Sequence, residues 1–226
     1  MTLLEKAIEL AVHAHDSDDP KQIDEDGLPH IVHCIEVMVA VREELDHLPH
    51  YHVAKAALKE YTVEELLIAA VLHDVVEDTL IPLKHIEMVF GARVASIVDA
   101  LSRRVIGVDE TKEYYRDFIY RCMENAGARL IKLKDLNHNM GRTHKISAKK
   151  AKWRKKLEYK YHVALSVILE GLTWEQASWH ITTEGPPEKP PISHYFIADP
   201  NGKEIEVDEA EFKRLVTDAK RLIKQT

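Results

Sequence analysis

The chain has 226 residues, 45% hydrophobic and 31% charged, with a formal net charge of −7, two cysteines and fourteen histidines. That length allows one or two domains with a sizeable core, and the apolar share excludes wholesale disorder. The acidic balance argues against a general nucleic-acid binder, and no apolar run reaches the roughly 18 residues that span a bilayer.

The N-terminus meets Glu5 and Lys6 almost at once and has no small-residue cleavage site, so it reads as a helix rather than a signal peptide. Leu3, Leu4, Ala7, Ile8, Ala11 and Val12 form an apolar stripe over residues 3–15. A turn-like stretch with Pro20, Gly27 and Pro29 follows. A second helix is expected from about Ile31 to Leu45, with Ile35, Met38, Val39 and Leu45 facing in. The segment DHLPHYHVAKAALKEY reads as a connection with room for a short helix.

Thr62 and Glu65 make a capping box for a helix over 63–78. Its run LLIAAVLHDVV is apolar nearly all round, which marks a buried central helix. Short helices are expected at 83–89 and 91–101, split at Phe90-Gly91, then two pieces at 110–125 and 126–141 broken near Gly127. A long helix runs from Ser147 to Glu170 and ends at Gly171, and Thr173 with Gln176 caps another through His180. Beyond it come the proline-rich TTEGPPEKPP, a hairpin around Asn201-Gly202, and a last amphipathic helix capped by Asp208 and Glu211. The expected architecture is an all-α helical bundle over 1–182, a linker over 183–191 and a small ββα appendage over 192–226.

The stretch His73-Asp74-Val75-Val76-Glu77-Asp78-Thr79 carries the chemistry. Residues four apart share a helix face, so His73 stacks with Glu77 and Asp74 with Asp78. Burying an imidazole and three carboxylates at the end of an apolar helix is costly unless the charges are paired or hold a metal. The competing reading is a solvated acidic helix end with His73 as a core histidine, and the apolar lead-in weighs against it. His33 in PHIVHC opens the second helix, and Asp135 in IKLKDLNHNM follows the short apolar run Leu130, Ile131, Leu133.

This order of residues resembles the HD superfamily of metal-dependent phosphohydrolases. The match is nearest to the hydrolase domain of RelA/SpoT-type proteins and the small alarmone hydrolases. Those carry a start like AxxxHxGQxRKxxGxPYIxHP, then LLHDVVEDT, then a segment ending in FG, then KLADRLHNMRT. Here the corresponding stretches read AVHAHDSDDPKQIDEDGLPHIVHC, VLHDVVEDT, IPLKHIEMVFGARVASIVDAL and IKLKDLNHNMGRT, over roughly residues 3–170. The resemblance implies an HD-domain bundle in which His33, His73, Asp74 and Asp135 ligate one divalent ion. Two imidazoles and two carboxylates suit Mn²⁺ or Fe²⁺, with Co²⁺ and Mg²⁺ as further options. It implies that Glu77 and Asp78 position or deprotonate the attacking water, and that Asn139 contacts the nucleotide.

Departures from the family bear on substrate. The usual Arg-Lys pair before the glycine is Gln22 and Ile23, with Lys21 one step away. The tyrosine of PYI is His30, the following proline is Cys34, the basic residue after the last ligand is Leu136, and Gly141 is inserted before Arg142.

From Arg142 to Lys160 stand nine Lys/Arg against one acid, Glu158. This segment reads either as a solvated helix face or as a phosphate-attracting rim that includes Arg142 and Lys145. His13, His15, His47, His50, His52, His85, His144, His162, His180 and His194 show no ligand-like spacing and read as surface or core-edge residues, while His138 is a candidate outer partner of the site. Cys34 and Cys122 are expected to be buried free thiols, consistent with a reducing, cytoplasmic setting, and Trp153, Trp174 and Trp179 to be packing residues.

The expected function is a (p)ppGpp 3′-pyrophosphohydrolase acting on a small nucleotide. The alternatives are another HD nucleotide phosphohydrolase (dNTP triphosphohydrolase, 5′-nucleotidase or cyclic-nucleotide phosphodiesterase) and a non-catalytic nucleotide-binding module. No membrane or nucleic-acid partner is expected, and a homo-oligomer is left open.

Overall fold

The computed structural model describes residues 1–15, 22–24, 27–47, 50–106, 111–184, 195–198 and 204–207. Lys21, His194, positions 185–191 of the expected linker and the expected C-terminal helix with its caps Asp208 and Glu211 lie outside the described residues.

Helix α1 (Leu3–Ala14) starts from a capping box in which Thr2 and Glu5 exchange hydrogen bonds, and it buries Ala7 and Ala11. Leu3 and Val12, expected in its stripe, are exposed. Helix α2 (His30–His47) buries His33, Cys34, Val37, Val41, Glu44 and Leu45. The inward line therefore runs through 34, 37, 41 and 45, and Val39, expected inside, is turned out at 46% exposure. The expected connection after it is largely a true helix, α3 (Tyr51–Glu60), with Val53, Ala54 and Ala57 inside.

Helix α4 (Val63–Val71) opens on the Thr62–Glu65 capping box and buries Leu66 through Val71 without interruption. It packs against α1 and α2 and meets two later helices, α7 (Ala92–Leu101) and α9 (Ala126–Arg142). It is shorter than the expected 63–78. The His73 Nδ1–H donates to the Ala70 carbonyl at 2.8 Å. An imidazole inserted into the main-chain ladder ends the helix there. A separate turn, α5 (Val75–Asp78), begins after Asp74.

Helix α6 (Leu83–Phe90) and α7 are divided at Gly91, whose φ of 88° lies in the region glycine favours. A small hairpin not expected from the sequence pairs β1 (Val105–Ile106) antiparallel with β2 (Thr111–Lys112). Helix α8 (Tyr115–Glu124) gives way to α9 at Asn125, whose side chain accepts from the Ala128 N–H, so the break falls before Gly127. Two short 3₁₀ turns lead into α10 (Ala151–Glu170), which Gly171 terminates in the left-handed conformation. Helix α11 (Trp174–Glu184) follows, and β3 (Tyr195–Ala198) pairs antiparallel with β4 (Glu204–Val207), the hairpin read around Asn201-Gly202. Among the described residues no helix is long and apolar enough to cross a membrane. The molecule is an all-α bundle with a small hairpin near its C-terminus.

Gly127 is needed for close approach rather than for a turn. A Cβ there would sit 2.8 Å from Ile97 Cδ1, 2.9 Å from Ile97 Cγ1 and 3.2 Å from Leu66 Cδ2. Gly127→Ala is therefore expected to destabilise by about 1–3 kcal/mol through overpacking, only partly offset by helix propensity. Denaturant unfolding with an unchanged m-value would check it.

Glu44 is fully buried on α2. It accepts from the His50 N–H at 2.6 Å and from His50 Nδ1 at 2.9 Å, and it pairs with Lys134 of α9. Burial works against the charged carboxylate, but His50 and Lys134 outweigh it and hold Glu44 below the usual carboxylate range. A depressed folded-state value means this stabilisation is present above the unfolded value and is lost as pH falls toward the folded one. Glu44→Ala, which strands Lys134, is expected to cost about 3–5 kcal/mol near neutrality and less in acid, measured by unfolding across pH.

Candidate metal centre

Three helices deliver four side chains to one point. The turn between α4 and α5 supplies His73 and Asp74, α2 supplies His33, and α9 supplies Asp135. With Nδ1–H committed to Ala70, the His73 lone pair is on Nε2. That buried Nε2 lies 3.0 Å from Asp74 Oδ2 and 3.9 Å from Asp135 Oδ1, yet makes no hydrogen bond among the described residues. His33 Nε2 lies 3.2 Å from Asp135 Oδ1 and 3.5 Å from Asp74 Oδ2. An octahedral ion with donors at about 2.1 Å would set cis donors about 3.0 Å and trans donors about 4.2 Å apart. These four separations fall between those limits, and the ligand atoms of His33, His73 and Asp135 lie within 4.8 Å of one another, so these donors could hold a divalent cation with Asp74 beside them.

His33 is oriented from behind. Its Nδ1 is 2.7 Å from His138 Nδ1, and His138 Nε2 is 2.7 Å from Glu36 Oε2. If His138 donates to Glu36, its Nδ1 accepts from His33 Nδ1–H, which leaves the His33 Nε2 lone pair facing inward. Asp135 is held by Lys132 Nζ on Oδ2 at 2.7 Å and by the Asn139 amide on Oδ1 at 2.5 Å.

The electrostatics are those of a tightly packed ionic cluster. Burial alone would raise Asp135, but Lys132, His33 and His73 hold it well below the usual carboxylate range. Asp74 is likewise held low against burial, by His73, His30 and His33. Burial disfavours the charged His33 ring, yet Asp135 and Asp74 outweigh it and raise His33 to about 9. Removal from water, with the charges of Asp74 and Glu77, pushes Asp78 up to about 6.

Helix α4 ends before His73, but the Asp78 N–H donates to the Asp74 carbonyl at 2.9 Å, so Asp74 and Asp78 keep the one-turn relation expected of them. Glu77 turns toward the small hairpin, where Oε1 meets Lys112 Nζ at 2.6 Å and Oε2 accepts from the Arg103 N–H at 2.9 Å. Asn139, Arg142 and Lys145 come together in a cleft open to solvent, whose walls also include Asp24, Trp153 and Tyr161. Trp153, expected to pack inside, is 44% exposed, and Trp179 is exposed too. Lys160 is tucked over the Tyr115 ring at 4.4 Å, and burial, with the nearby Lys132 and Arg103, lowers it to about 8.

Residues without an assigned role in the sequence also gather here. Lys132 precedes Asp135 by one turn, a readable spacing, whereas Glu36 and Lys112 are brought in by folding alone. His15, read as a surface or core-edge residue, is in fact buried.

Residues 7–113 match the family model described as HD domain. Asp135 and Asn139, on α9, lie beyond the matched span. The chain is similar to the bifunctional (p)ppGpp synthase/hydrolase SpoT of Escherichia coli K12, 31% identical over 147 residues. It is also similar to the guanosine-3′,5′-bis(diphosphate) 3′-pyrophosphohydrolase of Aquifex aeolicus, 29% identical over 140 residues. Each match takes in 61% of this chain and 17% of the relative, so the chain spans about one sixth of the length of the curated relatives it matches. A solved structure described as a metazoan ortholog of SpoT that hydrolyzes ppGpp superposes with a TM-score of 0.52 at 21% identity. The superposition covers 81% of this chain and 96% of that one, and it supports the bundle as an HD fold.

Outer partners of a ligating histidine typically tune metal affinity by about 10- to 100-fold. His138→Ala is expected to weaken binding of a divalent ion by that factor while helix content stays unchanged, read by calorimetric titration and circular dichroism.

Proposed function

We propose that this chain is a metal-dependent nucleotide phosphohydrolase, with (p)ppGpp losing its 3′-pyrophosphate as the leading reaction and Mn²⁺ as the leading ion. The observation that carries this reading is the convergence of His33, His73, Asp74 and Asp135 beside a cationic cleft. The similarity to (p)ppGpp hydrolases supports the substrate class. A divalent ion held by those four residues would supply an acidified water and a polarised phosphoryl group.

The chain's own residues would do the rest. Asp78, with a carboxyl raised to about 6, is suited to take a proton from the water and return it to the leaving oxygen. Glu77, fixed by Lys112 and Arg103, places a negative charge beside Asp78 and keeps that carboxyl basic. Arg142, Lys145 and Lys160 offer positive charge to substrate phosphates, and Asn139 braces Asp135 at the cleft floor. Trp153 and Tyr161 give the cleft an aromatic wall for a base.

A second reading within the same chemistry is a different nucleotide substrate. Leu136 is buried, and Gln22 is committed to His15 and the Asp78 carbonyl, so neither position offers the basic group that the resembling sequences carry there. The test is incubation with Mn²⁺ and a panel of ppGpp, dNTPs, nucleoside monophosphates and cyclic nucleotides. Release of pyrophosphate from ppGpp is expected, abolished by chelation and reduced by about 10²-fold or more in Asp74→Ala and Glu77→Ala. Turnover of dNTPs without ppGpp would favour the second reading, and no turnover with metal bound would overturn both.

A further inference from the structure

Beside the centre just described lies a second group of potential ligands on α1 and α2. His15, directly after α1, is 1% exposed. Its Nδ1 is 2.7 Å from Gln22 Oε1, and its buried Nε2 has no hydrogen-bond partner among the described residues. Gln22 is itself fixed, donating from its amide to the Asp78 carbonyl at 3.1 Å. With Gln22 Oε1 as acceptor, the proton sits on His15 Nδ1 and the lone pair on Nε2.

His30 opens α2 with its ring 4.9 Å from that of His15. Asp24 Oδ1 holds His30 Nδ1 at 2.9 Å, and His30 Nε2 lies 3.0 Å from Asp74 Oδ2. One turn further along α2 is Cys34, fully buried. The ligand atoms of His15, His30 and Cys34 all lie within 4.8 Å of one another. Each imidazole thus has an outer partner on Nδ1, Gln22 for one and Asp24 for the other, which is how ligating histidines are usually oriented.

We propose that His15, His30 and Cys34, together with Asp74, form a second divalent-metal site adjoining the first. Two imidazoles, a thiolate and a carboxylate suit Zn²⁺, Fe²⁺ or Co²⁺ and disfavour Mg²⁺. Both His30 nitrogens face carboxylates, so binding breaks the His30 Nε2–H bond as well as the Cys34 S–H bond, releases both protons to solvent, and forms nitrogen–metal and sulfur–metal bonds. Asp74 is placed to serve both ions, since Oδ2 is 3.0 Å from His30 Nε2 and 3.0 Å from His73 Nε2. His30 and Cys34 stand where the resembling sequences have tyrosine and proline, neither of which supplies these donors. The proposal goes beyond the hydrolase reading; His15, His30 and Cys34 are residues that reading does not use, although the Cys34 donor also lies within 4.8 Å of those of His73 and Asp74.

Co²⁺ is the probe. Chelator-stripped protein is titrated with Co²⁺ while bound metal per chain and thiolate-to-cobalt charge-transfer absorption are followed. Two Co²⁺ per chain with that absorption are expected. Cys34→Ser should remove the absorption, and both Cys34→Ser and His30→Tyr should lower the stoichiometry to one. Cys122→Ser, altering the buried thiol that donates to the Ala100 carbonyl, should change neither readout. Any stoichiometry without thiolate absorption overturns the proposal and leaves the hydrolase reading standing. A single Co²⁺ that carries the absorption keeps this site and argues against the His33 centre instead. The wild-type spectrum and stoichiometry decide the question even where a variant fails to fold.

Discussion

Two carboxylates and two imidazoles meet at the end of the most buried helix, and the surrounding structure is arranged to make that burial tolerable. Asp135 and His33 are nearly inaccessible, and His73 is 1% exposed. Isolated charges at such depth are unfavourable by several kcal/mol each unless they are matched. Matching comes from Lys132 and Asn139 on Asp135, from His30 on Asp74, and from the His138–Glu36 pair behind His33. A cation among the four inward atoms would complete the balance, since the bare His73 Nε2 faces carboxylates and no donor.

The rigidity of this point comes from α4. Its residues 66–71 are buried on every side, between α1, α2, α7 and α9, so the helix has no free face along which to shift. Gly127 lets α9 approach Leu66 and Ile97 closely, and that same helix carries Asp135 two turns later. Packing precision at the Gly127 contact is thereby passed along α9 to the carboxylate. Glu44 works in a similar way on the other side, tying α2 to Lys134, the neighbour of Asp135.

Much of this was legible in the sequence, for physical reasons that differ by residue. LLIAAVL declared a buried helix because only a helix surrounded by protein can be apolar all round. The order His33, His73-Asp74, Asp135 is written in the chain, and folding sets His33 Nε2 3.2 Å from Asp135 Oδ1 and His73 Nε2 3.0 Å from Asp74 Oδ2. The end of α4 was not legible, because it depends on an imidazole capturing a carbonyl three residues back, a competition that no periodicity records. The partner of Glu77 was equally hidden. Lys112 reaches it from a two-residue strand 35 positions away, in a hairpin too short to announce itself. Val39 failed because the α2 stripe is set by neighbours on both α4 and α9, and not by the helix alone. His138 was suggested by its spacing from Asp135, yet its use depends on a contact across 105 residues to His33.

The charge of the cleft is also less simple than the run of lysines implied. Arg142 is paired with Asp24 at 2.9 Å, Asp24 with His30, and His30 with Asp74. Positive and negative groups therefore alternate from the rim to the buried centre. Such alternation keeps the local field small until an anion enters, because every charge has an opposite neighbour within hydrogen-bonding range. Lys160 is the exception, since burial and the adjacent Lys132 and Arg103 disfavour its own charge. Within the cationic segment, Arg142 and Lys145 line the cleft and Lys160 sits over the Tyr115 and Tyr161 rings, whereas Lys149, Lys150, Lys152, Lys155 and Lys156 lie exposed on the surface.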